Sequence, residues 1–275
     1  MAYYLLLDPT VFDPHSLTTE QIQKQQAQNP DSIVTIDNPA IPAIVSQQLR
    51  LLPCPENSEL WQESHEWIKN LSNEYRGCVS GWLESDLSTQ ALAGALAANL
   101  VQPIPTGRRA LIRLYDSRVL QHLHALLSKD QLDALISPIK RWHYADWNGD
   151  LQTIEVSSFR RQVNLTEAQW VSIKRFDATS HVVTVWRDMH AERKEKIPFD
   201  ASIKADRQVS NALAYGLVSQ MDVTAYALCG LEYRDDFDQI PEVQQMLRQC
   251  RQGTPFIYFI ETIQHNVLIK DGGNK

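Results

Sequence analysis

The chain is poor in the residues that would announce a chemistry on their own. Of its 275 residues only 10 are glycine and 4 are cysteine. No Gly-x-Gly-x-x-Gly and no Gly-x-x-x-x-Gly-Lys occurs, so the loops that cradle phosphates in nucleotide-binding proteins are missing. There is no Gly-x-Ser-x-Gly elbow to present a hydrolase serine. The cysteines, Cys54, Cys78, Cys229 and Cys250, form no Cys-x-x-Cys pair, and in a chain of this length they read as buried thiols of a reducing cytoplasm. No apolar run reaches the ~18 residues a membrane-spanning helix needs. At the N-terminus, Met1 to Leu7 has no basic residue ahead of its apolar run, which stops at Asp8, so no signal peptide is expected. With 10 glycines and 13 prolines, collagen-like and linker-like chains are excluded as well.

What is present is an ordinary globular composition, 43% hydrophobic and 21% charged. The net charge of −7 is unevenly placed: residues 1–157 carry 11 Lys/Arg against 18 Asp/Glu, whereas residues 158–275 carry 15 of each. An acidic first half argues against nucleic acid as a partner, because a phosphate backbone requires a basic face.

Strand and helix signals alternate through the first half. Tyr3 to Leu7 reads as a buried strand, Ile33 to Ile36 and Ile41 to Leu52, interrupted by Pro39 and Pro42, as edge strands and an extended connection, and Gln21 to Gln28 as a polar helix or loop. Ser58 to Tyr75 has helical spacing with Gly77 placed to stop it. Cys78 to Leu83 reads as a strand, and Ser88 caps a helix to Leu100. Ala110 to Tyr115 reads as a strand with Arg113 inside it. Helices over 117–127 and 129–136 follow, then a strand pair turning at Asn148-Gly149.

After about residue 158 the apolar period becomes helical. Thr166-x-x-Gln169 is a capping box in front of a long amphipathic helix. Pro198, Asp222 and Pro241 mark further helix starts, an apolar segment runs from Phe256 to Val267, and Asp271 to Lys275 is a fraying tail. The expected architecture is an α/β N-terminal lobe over 1–157, a mixed sheet with flanking helices, followed by an all-α lobe over 158–275.

Metal ligation finds no support. His122 and His124 lie two apart on a helix and point roughly 200° apart, and Asp235, Asp236 and Asp238 lack the glycine and distal glutamate of a calcium loop. For an enzyme, Glu84, Asp86, Asp116 and His143 near strand ends are the groups that would have to converge. Arg113, Asp116 and Arg118 form a charge cluster at a strand–helix junction, read as a structural ion network. Asp116 caps the helix and answers the unfavourable cation in its first turn.

Three segments in order carry a resemblance: Gly81-Trp82-Leu83-Glu84-Ser85, Arg113-Leu114-Tyr115-Asp116-Ser117-Arg118-Val119-Leu120 and Ser137-Pro138-Ile139-Lys140-Arg141-Trp142. With the helical second half around Tyr215-Gly216-Leu217-Val218-Ser219, the chain resembles the bacterial type VI secretion effector adaptors, or effector chaperones, of the Tap/TEC type. It departs from them in having Ser117 where proline is common and Ser137 where glycine is common. The resemblance implies a cytoplasmic, non-catalytic protein without cofactor or metal. Such a protein binds a toxic effector, often by the effector's N-terminal region, and loads it onto the C-terminal region of the VgrG spike. Binding of this kind favours large apolar anchors. Among the aromatic residues of the helical lobe, Trp186 and Phe256 are expected in the core, and Trp170, Met189, Tyr258 and Phe259 are the candidate partner contacts. Trp170 stands out because it lies on a different helix face from Ile173 and Phe176. The alternatives are an immunity-type or other protein-binding module and an enzyme with an unrecognised site.

Overall fold

A computed structural model of the chain describes residues 2–9, 29, 32–37, 49–69, 78–104, 106–157 and 163–263. The expectations for 21–28, 41–48, 70–77, 264–267 and 271–275 lie outside the described residues. The chain divides into two compact units, Met1–Trp170 and Val171–Lys275.

The first unit is built on a six-stranded sheet. Its strands are β1 (Ala2–Leu7), β2 (Val34–Thr35), β3 (Arg50–Pro53), β4 (Val79–Ser85), β7 (Arg141–Ala145) and β8 (Leu151–Glu155), in the order β2-β3-β1-β4-β7-β8. β5 (Val101–Pro103) and β6 (Arg109–Leu111) form a separate hairpin. The helices are α1 (Glu59–Lys69), α2 (Thr89–Asn99), α3 (Ser117–Leu126) and α4 (Lys129–Ile136). The fold class is the expected one, but the sheet is not mixed: every described pairing is antiparallel. Between β4 and β7 the chain passes through three helices and the hairpin, and it re-enters the sheet running the opposite way.

The two faces of the sheet differ. On one, Leu5, Leu52 and Trp82 lie opposite one another in register and form a core with Leu7, Cys54, Cys78 and Val79, onto which α1 sets Leu60, Trp61, Trp67 and Ile68. Trp82 donates its Nε1–H to Ser64 Oγ at 2.8 Å and stacks on His65, ring centroids 4.0 Å apart. The buried indole is thereby satisfied as well as packed. On the opposite face Tyr4, Leu6, Leu51, Leu83, Trp142, Tyr144 and Ile154 are all buried, with α2 against β2 and β3 and α3 against β4.

Gly81 makes the close approach of β4 and β7 possible. A Cβ there would lie 2.4 Å from both the His143 carbonyl oxygen and Trp142 Nε1, and its φ of +147° disfavours any side chain. Trp142 lies across this bare backbone and donates to the Ser80 carbonyl at 3.2 Å.

Helix starts follow the capping residues read from the sequence. Ser88 caps α2, Asp116 caps α3 and Ser128 caps α4 in a full capping box with Gln131. A second box, Thr166 with Gln169, opens α5 (Glu167–Glu192). The two N3 glutamines face each other: Gln131 Nε2 donates to Gln169 Oε1 at 3.0 Å and Gln169 Nε2 to Gln131 Oε1 at 2.9 Å. Each carboxamide oxygen also accepts from its own cap backbone N–H.

The second unit is helical. It holds α5 beyond Trp170, α6 (Ala201–Ala214), α7 (Gln220–Glu232), a 3-10 turn over Phe237–Gln239, α8 (Pro241–Cys250), a 3-10 turn over Phe256–Phe259 and α9 (Ile260–Ile263). Ser219 caps α7, and Asp222, expected as the cap, sits three residues on with its N–H donating to Ser219 Oγ at 3.1 Å. Val183, Val209, Ala212, Tyr226, Phe237, Val243 and Phe256 are fully buried. Two buried carboxylates are compensated: Arg175 grips Asp206 with two bonds, 3.0 and 2.9 Å, and Tyr226 donates its hydroxyl to Asp238 at 2.8 Å. All four cysteines are free thiols, and burial pushes Cys54 and Cys78 up to about 11 and Cys229 up to about 12.

Candidate docking groove

α7 is apolar on two faces. Val223, Tyr226, Ala227 and Gly230 point into the core. Gly230 allows the Gln208 side chain to lie against the helix, where a Cβ would meet Gln208 Cδ at 2.3 Å. The stripe Met221, Ala225, Leu228 and Glu232, spaced by three or four residues, faces outward. A helix with a single packing partner needs one apolar stripe, and a second one calls for another surface.

That second stripe forms the wall of a groove of about 210 Å³, lined by Met189 of α5, Ala225, Leu228, Cys229 and Glu232 of α7, Tyr233, Ile257 and Ile260. Met221 is 62% exposed beside it in the stripe, and Tyr258, next to the lining Ile257, is 73% exposed. The wall made by Ile257 is pinned to α7: its N–H donates to Asp222 Oδ1 at 3.0 Å.

Glu232 is the one ionisable carboxylate among the lining residues. Its Oε1 accepts from Trp186 Nε1 at 2.5 Å and His190 Nε2 at 2.8 Å, and its Oε2 accepts from Arg193 at 2.7 Å. Burial opposes its ionisation, but the hydrogen bonds from Arg193, Trp186 and His190 outweigh that and hold its carboxyl below the ordinary glutamate value.

The structure separates the candidate contacts. Met189 lines the groove, Tyr258 is exposed next to it, and Phe259 is half-buried. Trp170 corrects the expectation, since it is only 4% exposed and forms core. The first turn of α5 is held to α4 by the Gln131–Gln169 pair, and α5 buries residues on several faces, Trp170, Phe176, Val182 and Val183 among them. Lying off the Ile173–Phe176 face therefore did not expose it. Trp186 and Phe256 are core, as expected.

The charge cluster also takes a narrower form. Arg113 follows β6 and does not lie inside a strand, because pairing ends at Leu111. Its carbonyl accepts from the Asp116 N–H at 3.0 Å. Asp116 holds Arg118 by two bonds, to Nε at 2.8 Å and to the terminal nitrogen at 2.7 Å, while also accepting from the Arg118 N–H at 3.0 Å. The cluster caps α3.

Of the four groups an enzyme reading required, two meet. His143 Nε2 lies 2.9 Å from Glu84 Oε1 and its Nδ1 lies 2.8 Å from Thr153 Oγ1, while Arg141 reaches Glu84 Oε2 at 3.1 Å. With Nε2–H donating to the carboxylate, Nδ1 accepts the threonine hydroxyl. Glu84 is 2% exposed and compensated by these partners, which tie β4 to β7. Asp86 pairs instead with Lys140, and Asp116 caps α3. Sequence reasoning grouped Glu84 and His143 with Asp86 and Asp116 but missed Arg141 and Thr153 as their partners. Only the strand register, Glu84 opposite Arg141 and Trp82 opposite His143, brings them together. Among the described residues no group of three His, Cys, Asp or Glu side chains is placed to hold a metal ion, and no helix is long and apolar enough to cross a membrane.

Residues 3–134 match the family model for a domain of unknown function, DUF4123. The DUF4123 match runs from β1 into α4 and takes in the Gly81–Ser85 and Arg113–Leu120 segments. Ser137–Trp142 and the groove of the helical unit lie beyond it. Comparison with curated proteins and with solved structures returned no match.

Proposed function

We propose that this protein is a type VI secretion effector adaptor that binds a toxic effector and loads it onto VgrG without catalysing a reaction. The observation that carries the reading is the DUF4123 match over residues 3–134, which falls on two of the three segments that resemble these adaptors. The helical unit supports it with an apolar groove and exposed large side chains, the surface a reversible protein partner needs. The effector is held, often by its N-terminal region, until the C-terminal region of VgrG takes it over, and the adaptor stays in the cytoplasm. The test is co-purification of the full chain with the N-terminal region of the effector encoded beside it and with the VgrG C-terminal region. Retention of both at micromolar concentration is expected. Retention of neither overturns the reading, as does turnover of a small molecule that is abolished by Glu84→Gln or His143→Ala in a folded variant.

A further inference from the structure

We infer that the groove between α7, Met189 and the Ile257–Ile260 segment accepts a cationic amphipathic helix of the effector, an inference that rests on the adaptor reading above for the source of the helix. The backbone around the groove decides between helix and strand. Its walls are α5, α7, the Phe256–Phe259 turn and α9, all helical or 3-10, and the Ile257 N–H in that turn is taken up by Asp222. They present no strand edge. A strand laid into this apolar surface would bury unpaired N–H and C=O groups, whereas a helix brings its own backbone already satisfied.

The size of the site agrees. A volume of about 210 Å³ takes one or two large aliphatic side chains. The apolar part of the stripe, Met221 to Leu228, runs about 10.5 Å along α7 at 1.5 Å per residue, the reach of anchors at i, i+4 and i+7 on an incoming helix.

Charge then fixes which helix. Around the apolar floor stand Asp222, one turn before Ala225; Glu192, one turn after Met189; Glu261, next to Ile260; and Glu232 itself. Against these four carboxylates stand Arg193, already bound to Glu232 at 2.7 Å, and Arg234, next to the lining Tyr233 and already bound to Asp236 at 2.7 Å. Glu232 also lies at the C-terminal end of α7, where the helix carbonyls add negative potential. A helix flanked by Lys or Arg meets attraction on this rim, and one flanked by Glu or Asp meets repulsion.

The test uses the full chain and two synthetic helical peptides with the same leucine stripe, one flanked by lysine and the other by glutamate, titrated by fluorescence anisotropy. The lysine peptide is expected to bind about tenfold more tightly at low salt, the factor that ~1.4 kcal/mol gives, with the preference shrinking as salt rises. Leu228→Lys is expected to weaken the lysine peptide at least ~10-fold. The exposed double variant Glu192→Lys/Glu261→Lys, which leaves the helical cores untouched, is expected to erase the preference. Equal affinities, a preference for the glutamate peptide, no binding of either, or binding indifferent to both variants overturns the inference. So does a dimer in sedimentation that Leu228→Lys dissociates, which would make a second copy the occupant. If the peptides show no preference but the effector still co-purifies, the groove assignment falls and the adaptor reading stands. If the peptides behave as expected and neither effector nor VgrG is retained, the groove stands and the adaptor reading falls.

Discussion

The two units handle apolar surface in opposite ways. Among the described residues of the first, Leu151 is the one large hydrophobic side chain left exposed. The second leaves Val171, Phe199, Leu213, Val218, Met221, Tyr233, Ile257 and Tyr258 in that state. The sheet of the first unit is covered by α1 on one side and by α2 and α3 on the other, and its uncovered stretch over β7 and β8 is occupied by Arg141, His143, Thr153 and Glu155. The helices of the second are satisfied inside yet unfinished outside. Composition points the same way. Positions 1–170 hold 13 Lys/Arg and 19 Asp/Glu, while 171–275 hold 13 and 14. The first unit carries nearly all of the net charge, and the second, with its charges nearly balanced and its apolar side chains exposed, has the surface that gains by being covered.

Several substitutions put this difference to the test. The largest effect is expected from Gly81→Ala in the first unit, where the methyl group would collide with backbone as well as with Trp142. A loss of roughly 3 kcal/mol or more in urea denaturation is expected, because neither the carbonyl nor the packed indole can retreat cheaply. A loss under ~0.5 kcal/mol would mean that β4 and β7 do not approach so closely. In the second unit, Tyr226→Phe removes one of the hydrogen bonds to buried Asp238, which Gln239 also reaches at 3.3 Å, and about 0.5–1.5 kcal/mol should be lost by the same measurement.

A smaller and condition-dependent effect is expected at Glu232. Its native carboxyl titrates below the ordinary glutamate value of about 4.3, so its contribution to stability is present above that value and is lost as pH falls through the depressed native one. Trp186 donates to it and reports it. An acid titration followed by tryptophan fluorescence should show a transition that Glu232→Gln removes. An unchanged acid limb in that variant would separate Glu232 from the indole. The smallest effect on stability is expected from Met221→Ser with Val218→Ser, within about ±0.5 kcal/mol for exposed sites. Binding of a hydrophobic dye should nevertheless fall. Unchanged dye binding would remove the contrast between the units.

Much of the fold was legible because its signals are local. Ser88, Asp116 and Ser128 stand one residue before the helices they cap, and Asn148-Gly149 turns β7 into β8. Strand direction was not legible, since nothing within a strand states which neighbour it will pair with. Arg141 and Thr153 were missed as partners of Glu84 and His143 for the same reason: the four come from three strands and meet only through register. In the groove, Met189 and Tyr258 could be chosen as large apolar residues, but Ala225 and Leu228 gave no hint, because an outward stripe and an inward stripe look alike on a helix that is apolar on both. Trp170 shows the limit of periodicity. It tells which residues share a face, and only packing tells which faces are inside.

The paired glutamines at the starts of α4 and α5 have one more consequence. Neither Gln131 nor Gln169 can gain or lose a proton in water, and together they present donors to acceptors with no net charge at the joint. Brine and acid, which loosen the molecule's ionic clasps, leave this fastening as strong as before.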